Sequence, residues 1–338
     1  MIATMESAMP PASPGARDQF GRRIEYLRIS VTDRCNFRCA YCMPLEGLPW
    51  LPRESILSYE EITEVVRQLA SLGVSRLRIT GGEPTIRPQL TTLIAMLREI
   101  PGIQDIALST NGVKLPEMAA ELKRAGLDRV NMSADSLRPD RIREIARRSL
   151  AFSPVHAALA AERAELGPVK INTVVMRGIN DDEIEDFARL TLEHPWHVRF
   201  IELMPVGEMA GEEVDRVVPS DEILARIARI APLAPDAGPA RGNGPAAYYR
   251  FAGAPGSIGV ITPMSHTYCG DCNRVRLTAD GQLRTCLYGE EQVSFRDALR
   301  AGKPLAPLFA QALSTKPREH QLLQMKVGGL RALSQIGG

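Results

Sequence analysis

Two kinds of apolar spacing alternate along the chain between residues 24 and 204. Six short runs have the composition and alternation of strands: YLRIS (26–30), RLRIT (76–80), DIALSTN (105–111), RVNMSAD (129–135), VKINTVV (169–175) and VRFIELM (198–204). After the first run, Ser58 and Glu61 form a capping-box pattern ahead of an apolar stripe that ends at Gly73. Helical spacing recurs at 115–125, 139–148, 155–166 and 181–193. This alternation predicts a parallel sheet covered by helices, either as an open doubly wound sheet or as a full or partial barrel.

The predicted strands share a polar face. In the first strand, Arg28 and Ser30 alternate with Leu27 and Ile29. The same alternation places further polar pairs on one face: Arg76 with Arg78, Lys170 with Asn172, and His197 with Arg199. Strands buried on both faces would be almost continuously apolar. If helices cover the apolar face, the polar face lines a wide, wet, partly basic interior; the alternative is an antiparallel sheet with one side in solvent.

Composition divides the chain into three expected regions. Residues 1–22 are rich in Pro, Ala, Gly and Ser, and we expect a flexible tail. Residues 23–210 contain the strand and helix alternation. Residues 211–338 form a C-terminal appendage, in which we expect helices at 219–230, 294–301 and 304–313 and the β-like pieces YYRF and SIGVIT.

Positive and negative charges are nearly balanced along the chain. The 338 residues contain 41 Lys and Arg against 40 Asp and Glu, for a formal net charge of +1. This balance gives no reason to expect general binding to nucleic acid or to a membrane surface. No run approaches the roughly 18 apolar residues of a membrane-spanning helix, and the N-terminus lacks the features of a signal peptide. We therefore expect a cytoplasmic protein.

Three of the six cysteines lie in one short segment, CNFRCAYC. Cys35, Cys39 and Cys42 have the spacing C-x3-C-x2-C. Three thiolates can hold three irons of a [4Fe–4S] cluster and leave the fourth iron open for a ligand, whereas a closed structural zinc site needs four ligands. The alternatives are an incomplete zinc site and three unrelated buried thiols.

The other three cysteines, Cys269, Cys272 and Cys286, form a second group near the C-terminus. Their spacing is C-x2-C-x13-C, again without an obvious fourth ligand. This pattern predicts a second open cluster, with a zinc ribbon or a disulfide pair as alternatives.

The first cysteine group follows the first predicted strand, and ITGGEPTIR (79–87) follows the second. In parallel α/β folds, both positions lie at the C-terminal mouth of the sheet, where chemistry is placed. The spacing C-x3-C-x2-C in ISVTDRCNFRCAYCMP, together with GGEP, resembles the signature of radical S-adenosylmethionine enzymes. The segment HTYCGDCNRVRLTADGQLRTCL further resembles the C-terminal cluster segment of the GTP 3',8-cyclase family within that superfamily.

The resemblance implies an α/β fold, a partial (β/α)6 TIM-like barrel with a C-terminal appendage that carries the second cluster. It also implies two [4Fe–4S] clusters and S-adenosylmethionine as cofactors. The implied reaction is an early step of molybdenum cofactor biosynthesis, in which a 5'-deoxyadenosyl radical removes the C3' hydrogen of GTP. C3' then attacks guanine C8, and reduction gives 3',8-cyclo-7,8-dihydro-GTP.

The resemblance also assigns roles to individual residues. It implies S-adenosylmethionine contacts from Tyr41, Gly81, Gly82, Glu83, Thr110 and Ser133. It implies GTP contacts from Arg28, Arg76, Arg78, Lys170, Arg199, Arg274 and Arg276. The terminal Gly337 and Gly338 are expected to reach into the active site and to shape the radical reaction.

Family analogy adds an external electron donor, a homodimer, and product transfer to the next enzyme of the pathway, cyclic pyranopterin monophosphate synthase. Two other functions compete with GTP cyclisation. One is a different two-cluster radical enzyme that modifies peptides, although such enzymes carry more C-terminal cysteines. The other is a non-catalytic, zinc-stabilised nucleotide-binding protein.

Overall fold

Six parallel strands, each followed by at least one helix, form the first part of the computed structural model. It describes residues 15–149, 152–204, 214–236, 244–266, 268–289, 291–320 and 333–336. The strands are β1 (Tyr26–Ser30), β2 (Arg76–Thr80), β3 (Asp105–Thr110), β4 (Arg129–Ser133), β5 (Lys170–Val175) and β6 (His197–Glu202). They pair in sequence order, each parallel to the next. All six expected strands are therefore present, and the antiparallel alternative is wrong for this part of the chain.

Six helices connect these strands and cover one face of the sheet: α1 (Tyr59–Ser71), α2 (Leu90–Arg98), α3 (Leu115–Arg124), α4 (Pro139–Ala146), α5 (Pro154–Arg163) and α6 (Ile184–Glu193). The capping box of α1 is formed as expected, because Ser58 accepts from the Glu61 N–H and Glu61 accepts from the Ser58 N–H. Helix α2 was not expected from the sequence pattern. This helix begins after Gln89, which has a left-handed backbone and makes no side-chain cap.

The C-terminal region extends the same sheet. Its strands are β7 (Leu233–Pro235), β8 (Ala247–Phe251), β9 (Ser257–Ile261), β10 (Arg274–Leu277), β11 (Gln282–Arg284) and β12 (Gln292–Ser294). The sheet order is β12-β11-β10-β1-β2-β3-β4-β5-β6-β9-β8-β7. β10 pairs parallel to β1 and β9 pairs parallel to β6, whereas the outer strands are antiparallel. The sheet is thus a partial barrel to which the appendage adds strands on both sides.

Three further helices complete the described part: α7 (Ser220–Ile227), α8 (Phe295–Arg300) and α9 (Ala306–Ser314). The apolar strand residues, such as Leu27, Leu77 and Val198, are fully buried against the helical layer. The opposite face carries the polar residues, and several of them are also buried, including Arg78 and Arg199. The expected enclosed polar interior is therefore present. None of the helices in the described ranges has both the length and the apolar content needed to cross a bilayer.

Part of the segment expected to be a flexible tail is ordered. Residues 15–22 pack along the barrel, and the Ala16 N–H donates to the Leu72 carbonyl at 2.9 Å. Asp18 is buried and accepts from the Arg22 guanidinium at 2.6 Å. Arg22 in turn donates to the carbonyls of Cys269 at 2.7 Å, Pro317 at 2.7 Å and Arg318 at 3.0 Å. This segment therefore joins the start of the chain to the second cysteine group. The expected boundary between the barrel (23–210) and the C-terminal appendage (211–338) remains a prediction.

The two glycines of the GGEP segment lie directly against the loop that leads to Cys35. Gly82 donates its N–H to the Thr32 carbonyl at 2.7 Å, and Glu83 donates to the Arg34 carbonyl at 2.8 Å. A Cβ on Gly82 would lie 2.2 Å from the Arg34 oxygen, and one on Gly81 would lie 2.6 Å from the Thr32 oxygen. Glycine is needed here because backbone packs on backbone, and the two loops hold each other in place.

We expect Arg22→Ala to loosen the contact between the N-terminal segment and residues 316–320. The substitution removes four hydrogen bonds of a largely buried guanidinium, three to backbone carbonyls and one to Asp18, each worth on the order of 1.5–3 kcal/mol. Thermal unfolding and amide hydrogen exchange measure the effect. Arg17→Ala is the matched control, because Arg17 is exposed and makes one side-chain hydrogen bond, to the Gly21 carbonyl. Equal effects of the two substitutions would contradict the prediction.

We expect Gly82→Ala to displace the loop before Cys35 and to destabilise the protein by about 1–3 kcal/mol, because the new methyl group meets a backbone oxygen that cannot move alone. Gly270→Ala is the control, since a Cβ at Gly270 has no heavy atom within 4 Å. Denaturant unfolding of both variants gives the comparison. A stable Gly82→Ala protein with a protected 32–38 segment would show that the loop tolerates the shift.

Candidate active site

A cavity of about 320 Å³ opens on the polar face of the sheet and extends to the C-terminal ends of β2, β3 and β4. It is large enough for small-molecule ligands. Fourteen of the residues singled out from the sequence line it: Arg28, Cys35, Cys39, Tyr41, Cys42, Arg78, Gly81, Gly82, Glu83, Thr110, Ser133, Arg199, Arg274 and Arg276. Of the other described candidates, Arg76, Lys170, Cys269, Cys272 and Cys286 are not among its lining residues.

The first cysteine group forms one wall of this cavity. Cys35, Cys39 and Cys42 are free and partly buried, and the loop is held by the Cys42 N–H donating to the Cys39 carbonyl at 2.8 Å. Burial raises the pKa of Cys35 to about 12 and that of Cys42 to about 11. The pKa of Cys39 is also raised by burial, with Asp135 adding to the effect. Without a cation the three thiols are neutral, so a bound metal group would displace their protons.

The donor set fits an iron–sulfur cluster better than a single ion. Across the ranges that the structure describes, no three Cys, His, Asp or Glu side chains are grouped closely enough to hold one metal ion. A [4Fe–4S] cluster is larger, and its three thiolates bind three different irons. The three thiols share one short loop and face one cavity, which is the arrangement such a cluster requires.

Glu83 connects the ends of β2 and β3 beside this group. Its carboxylate is buried and accepts from the Thr85 N–H at 3.0 Å, the Thr85 hydroxyl at 2.5 Å and the Thr110 hydroxyl at 2.7 Å. The other oxygen accepts from the Asn111 N–H at 2.7 Å. Burial raises the pKa of Glu83, although these hydrogen bonds oppose the shift. Glu83 therefore fixes Thr110 and Asn111 at the cavity wall.

Tyr41 and Asp135 form a second buried pair near the cysteines. The Tyr41 hydroxyl donates to Asp135 Oδ2 at 2.7 Å, and Asp135 Oδ1 accepts from the Val174 N–H at 2.9 Å. Burial raises the pKa of Asp135 to about 6. It also raises the pKa of Tyr41, so this phenol keeps its proton at neutral pH. The pair ties the cysteine loop to the ends of β4 and β5.

Three arginines lie side by side on neighbouring strands across the cavity floor. Arg28 on β1 is in register with Arg276 on β10 and with Arg78 on β2. Arg28 is only partly covered, yet burial and then Arg276 and Arg78 lower its pKa well below its usual value. Burial, with neighbouring Arg274, lowers the pKa of Arg276 to about 10. The row is a concentration of positive charge that favours an anion with several negative groups.

Other cations lie nearby on the same polar face. Arg199 donates to Asn172 Oδ1 at 2.8 Å and to Asn131 Oδ1 at 3.0 Å, and burial lowers its pKa to about 10. Lys170 is buried two residues before Asn172 on β5, and burial, with Arg199 adding to it, lowers its pKa to about 6. Arg76 is partly buried at the start of β2.

The second cysteine group lies behind the arginine row. All three of its thiols are free, and Cys272 is separated from β10 by one residue, Asn273. Burial raises the pKa of Cys272, but Lys316 and Arg274 lower it more, to about 7. Three residues close to this group in sequence, Tyr268, Arg274 and Leu287, line the cavity. Sequence neighbours of this group therefore reach the cavity, although the three thiols themselves do not line it.

The described end of the chain also reaches the cavity. Ser334 is buried and lines it, while Gly337 and Gly338 lie outside the described residues. Burial raises the pKa of Cys42, and a hydrogen bond from the Ser334 backbone N–H opposes the shift.

Several lining residues were missed as site candidates: Tyr26, Asn111, Asp135, Asn172 and Ser334. The first four had a signal, because they share the polar strand face or immediately follow a strand. Tyr26 precedes Arg28 by two positions, so the period-two pattern places both on one face. Nothing in the sequence pattern indicated Ser334.

Comparison with known proteins gives consistent matches. Residues 29–191 match the family described as Radical SAM superfamily, and residues 196–322 match the family described as Molybdenum Cofactor Synthesis C. Among solved structures, Streptococcus suis SuiB bound to S-adenosylmethionine is similar in fold, with a TM-score of 0.59 at 14% identity. This match covers 85% of this chain and 65% of that chain.

Sequence relatives are much closer. A GTP 3',8-cyclase of Moorella thermoacetica is 51% identical over 327 residues, covering 95% of this chain and 100% of that protein. Another, from Heliobacterium modesticaldum, is 47% identical over 328 residues, covering 95% of this chain and 99% of that protein. The expected family is confirmed: this chain belongs to the GTP 3',8-cyclase family of radical S-adenosylmethionine enzymes.

Proposed function

We propose that the cavity between the two cysteine groups is where this chain cyclises GTP to 3',8-cyclo-7,8-dihydro-GTP in molybdenum cofactor biosynthesis. The observation that carries the proposal is the row of Arg276, Arg28 and Arg78 on adjacent strands between the groups. A triphosphate is the kind of ligand that balances such a row. The family membership argues against the non-catalytic zinc protein and against a peptide substrate.

Cys35, Cys39 and Cys42 would hold the cluster that, with S-adenosylmethionine, supplies the 5'-deoxyadenosyl radical. Around it, Glu83 would orient the methionine ammonium. In the described chain its Oε2 accepts one hydrogen bond, from the Asn111 N–H, so it retains capacity for a cation. Tyr41, Thr110 and Ser133 line the same part of the cavity. Gly81 and Gly82 also line it, and because they have no side chains a ligand can approach their backbone closely.

The arginine row would bind the triphosphate, with Arg199 and Lys170 deeper on the same face. Burial and mutual repulsion disfavour the charged forms of these side chains, and a polyanion relieves both effects. Arg274 and Tyr268 would place the guanine toward the cluster on Cys269, Cys272 and Cys286. A GTP molecule bound at both its triphosphate and its guanine would have its ribose held in one position, which the radical step requires. Arg76, at the start of β2, would add positive charge at the edge of this group of cations.

Gly337 and Gly338 would extend from Ser334 into the cavity and help to exclude water. The chain also needs an external electron donor. We further propose a homodimer, and product transfer to cyclic pyranopterin monophosphate synthase. The six free thiols suit a reducing compartment, so the proposed location is the cytoplasm.

Replacing cysteines in each group separates the two proposed clusters. We expect Cys39→Ala to abolish deoxyadenosine formation, because two thiolates do not retain a cluster with a defined open iron. Cys272→Ala should keep the first cluster, with about four irons instead of about eight, and lose GTP cyclisation. Iron analysis and product chromatography under anaerobic conditions measure both. Cyclisation by the Cys272→Ala protein would mean that the second group serves the fold alone.

GTP binding should be accompanied by proton uptake at Lys170. The pKa of this amine is lowered to about 6, so it is mostly neutral at pH 7, and a nearby phosphate raises that pKa. GTP affinity should therefore increase as the pH falls from about 8 to 6. Calorimetry in buffers of different ionisation enthalpy measures the uptake, and Lys170→Met is expected to remove it. The same uptake in both proteins would exclude Lys170 as its source.

A further inference from the structure

A buried lysine outside the cavity contacts the second cysteine group. Lys316 follows α9, is 2% exposed, and is not one of the described residues that line the cavity. Its ammonium is 3.6 Å from Cys272 Sγ and 3.0 Å from the Arg274 carbonyl. A third hydrogen bond goes to the Thr285 carbonyl. All three N–H donors of the amine are therefore used, and one of them points at a candidate cluster ligand.

Among the described residues, no carboxylate pairs with the charge of this ammonium. In the part of the chain that the structure describes, Lys316 makes no salt bridge with Asp or Glu. Two neutral carbonyls satisfy hydrogen bonds but do not balance a charge, and an isolated buried charge is costly. The groups close to Lys316 that can carry negative charge are the thiolates of Cys272 and Cys286. A cluster on these thiolates would supply the missing counter-charge.

Two segments hold Lys316 in this position. The Gln19 side chain donates to the Lys316 carbonyl at 3.0 Å, and Arg22 donates to the two following carbonyls and to that of Cys269. A backbone hydrogen bond from His320 reaches the Cys269 thiol. Residues 15–22 and 316–320 thus form a collar on the outer side of the second cysteine group, and Lys316 is the buried cation of this collar that contacts a cysteine thiol.

We propose that Lys316 is a positioning residue of the second cluster, which balances the cluster's charge, donates to its Cys272 ligand and thereby sets its reduction potential. The proposal rests on the proposed function, because it requires a cluster on Cys269, Cys272 and Cys286. Hydrogen bonds to ligand sulfurs and the net charge nearby are the main protein controls on such potentials. Reduction adds a negative charge, so a fixed buried cation stabilises the reduced form and raises the potential.

Lys316 differs in this respect from Arg274, which also stands beside Cys272. Arg274 lines the cavity, so its replacement would change GTP binding as well as the cluster. Lys316 lies behind the cluster site, so its replacement is expected to change the potential and leave GTP affinity close to wild type. The two effects can therefore be separated by experiment.

The test is a redox titration of the full-length, anaerobically reconstituted enzyme, followed by electron paramagnetic resonance. S-adenosylmethionine is added to distinguish the first cluster from the second. We expect Lys316→Met to shift the midpoint of the second cluster to a lower potential without changing that of the first. Lys316→Arg keeps the positive charge, so the midpoint potential of its second cluster should stay close to the wild-type value. Lys303→Met is the matched control, because Lys303 is exposed on the turn after α8 (Phe295–Arg300) and is expected to shift neither midpoint.

An unchanged second midpoint in Lys316→Met would overturn the proposal. If that variant loses the second cluster, Lys316→Gln, which keeps a donor without the charge, provides the measurement. Loss in both neutral variants with retention in Lys316→Arg would support the need for a charge, whereas loss in all three would overturn it in favour of packing. A wild-type protein with only about four irons would instead contradict the second cluster itself.

Discussion

Positive charge facing positive charge across neighbouring strands is the constraint on which the rest of the site depends. Arg276, Arg28 and Arg78 are adjacent because β10, β1 and β2 are parallel and in register. A slip of one residue in this register would move the polar side chains of a strand to the apolar face, because side chains alternate with a period of two. The same register that buries Leu27 and Leu77 therefore also concentrates these guanidinium groups on one floor.

The strand β1 also fixes the distance between the two cysteine groups. The first group follows its C-terminal end, and β10, which begins just after Cys272, lies beside it. The Gly81 and Gly82 backbone locks the first loop, while the collar of residues 15–22 and 316–320 surrounds the second group. Backbone contacts therefore position the first group, whereas side chains that donate to backbone carbonyls position the second.

Much of this architecture was predictable, because strand and helix periods are local properties of the sequence. The six strands, the capping box of α1 and the inward polar face follow from such patterns, and the cysteine spacing carries the chemistry. The features that were not predicted are those that depend on contacts between residues far apart in the sequence. The helix α2 has no cap signal before Leu90, and residues 15–22 are ordered only through contacts such as that of Arg22 with Cys269.

The position of some site residues also depends on more than the local sequence pattern. A period-two pattern gives the face of a residue but not its depth, so Arg76 and Arg78 were indistinguishable, although only Arg78 lines the cavity. The joining of β9 and β10 to the parallel sheet was equally hidden, because the sequence pattern contains no register between distant strands.

The pairing of β1 with β10 has a consequence for biogenesis. Residues near the start of the chain are joined to residues beyond position 270, so one edge of β1 lacks its partner until most of the protein has been synthesised. Strands β1 to β6 and their helices can assemble earlier, since their pairings are between neighbours in sequence. During that interval the segment with Cys35, Cys39 and Cys42 has been synthesised, whereas the second cysteine group has not. The order of synthesis thus allows iron–sulfur delivery to proceed in two separate stages, beginning with the group for which we propose S-adenosylmethionine binding.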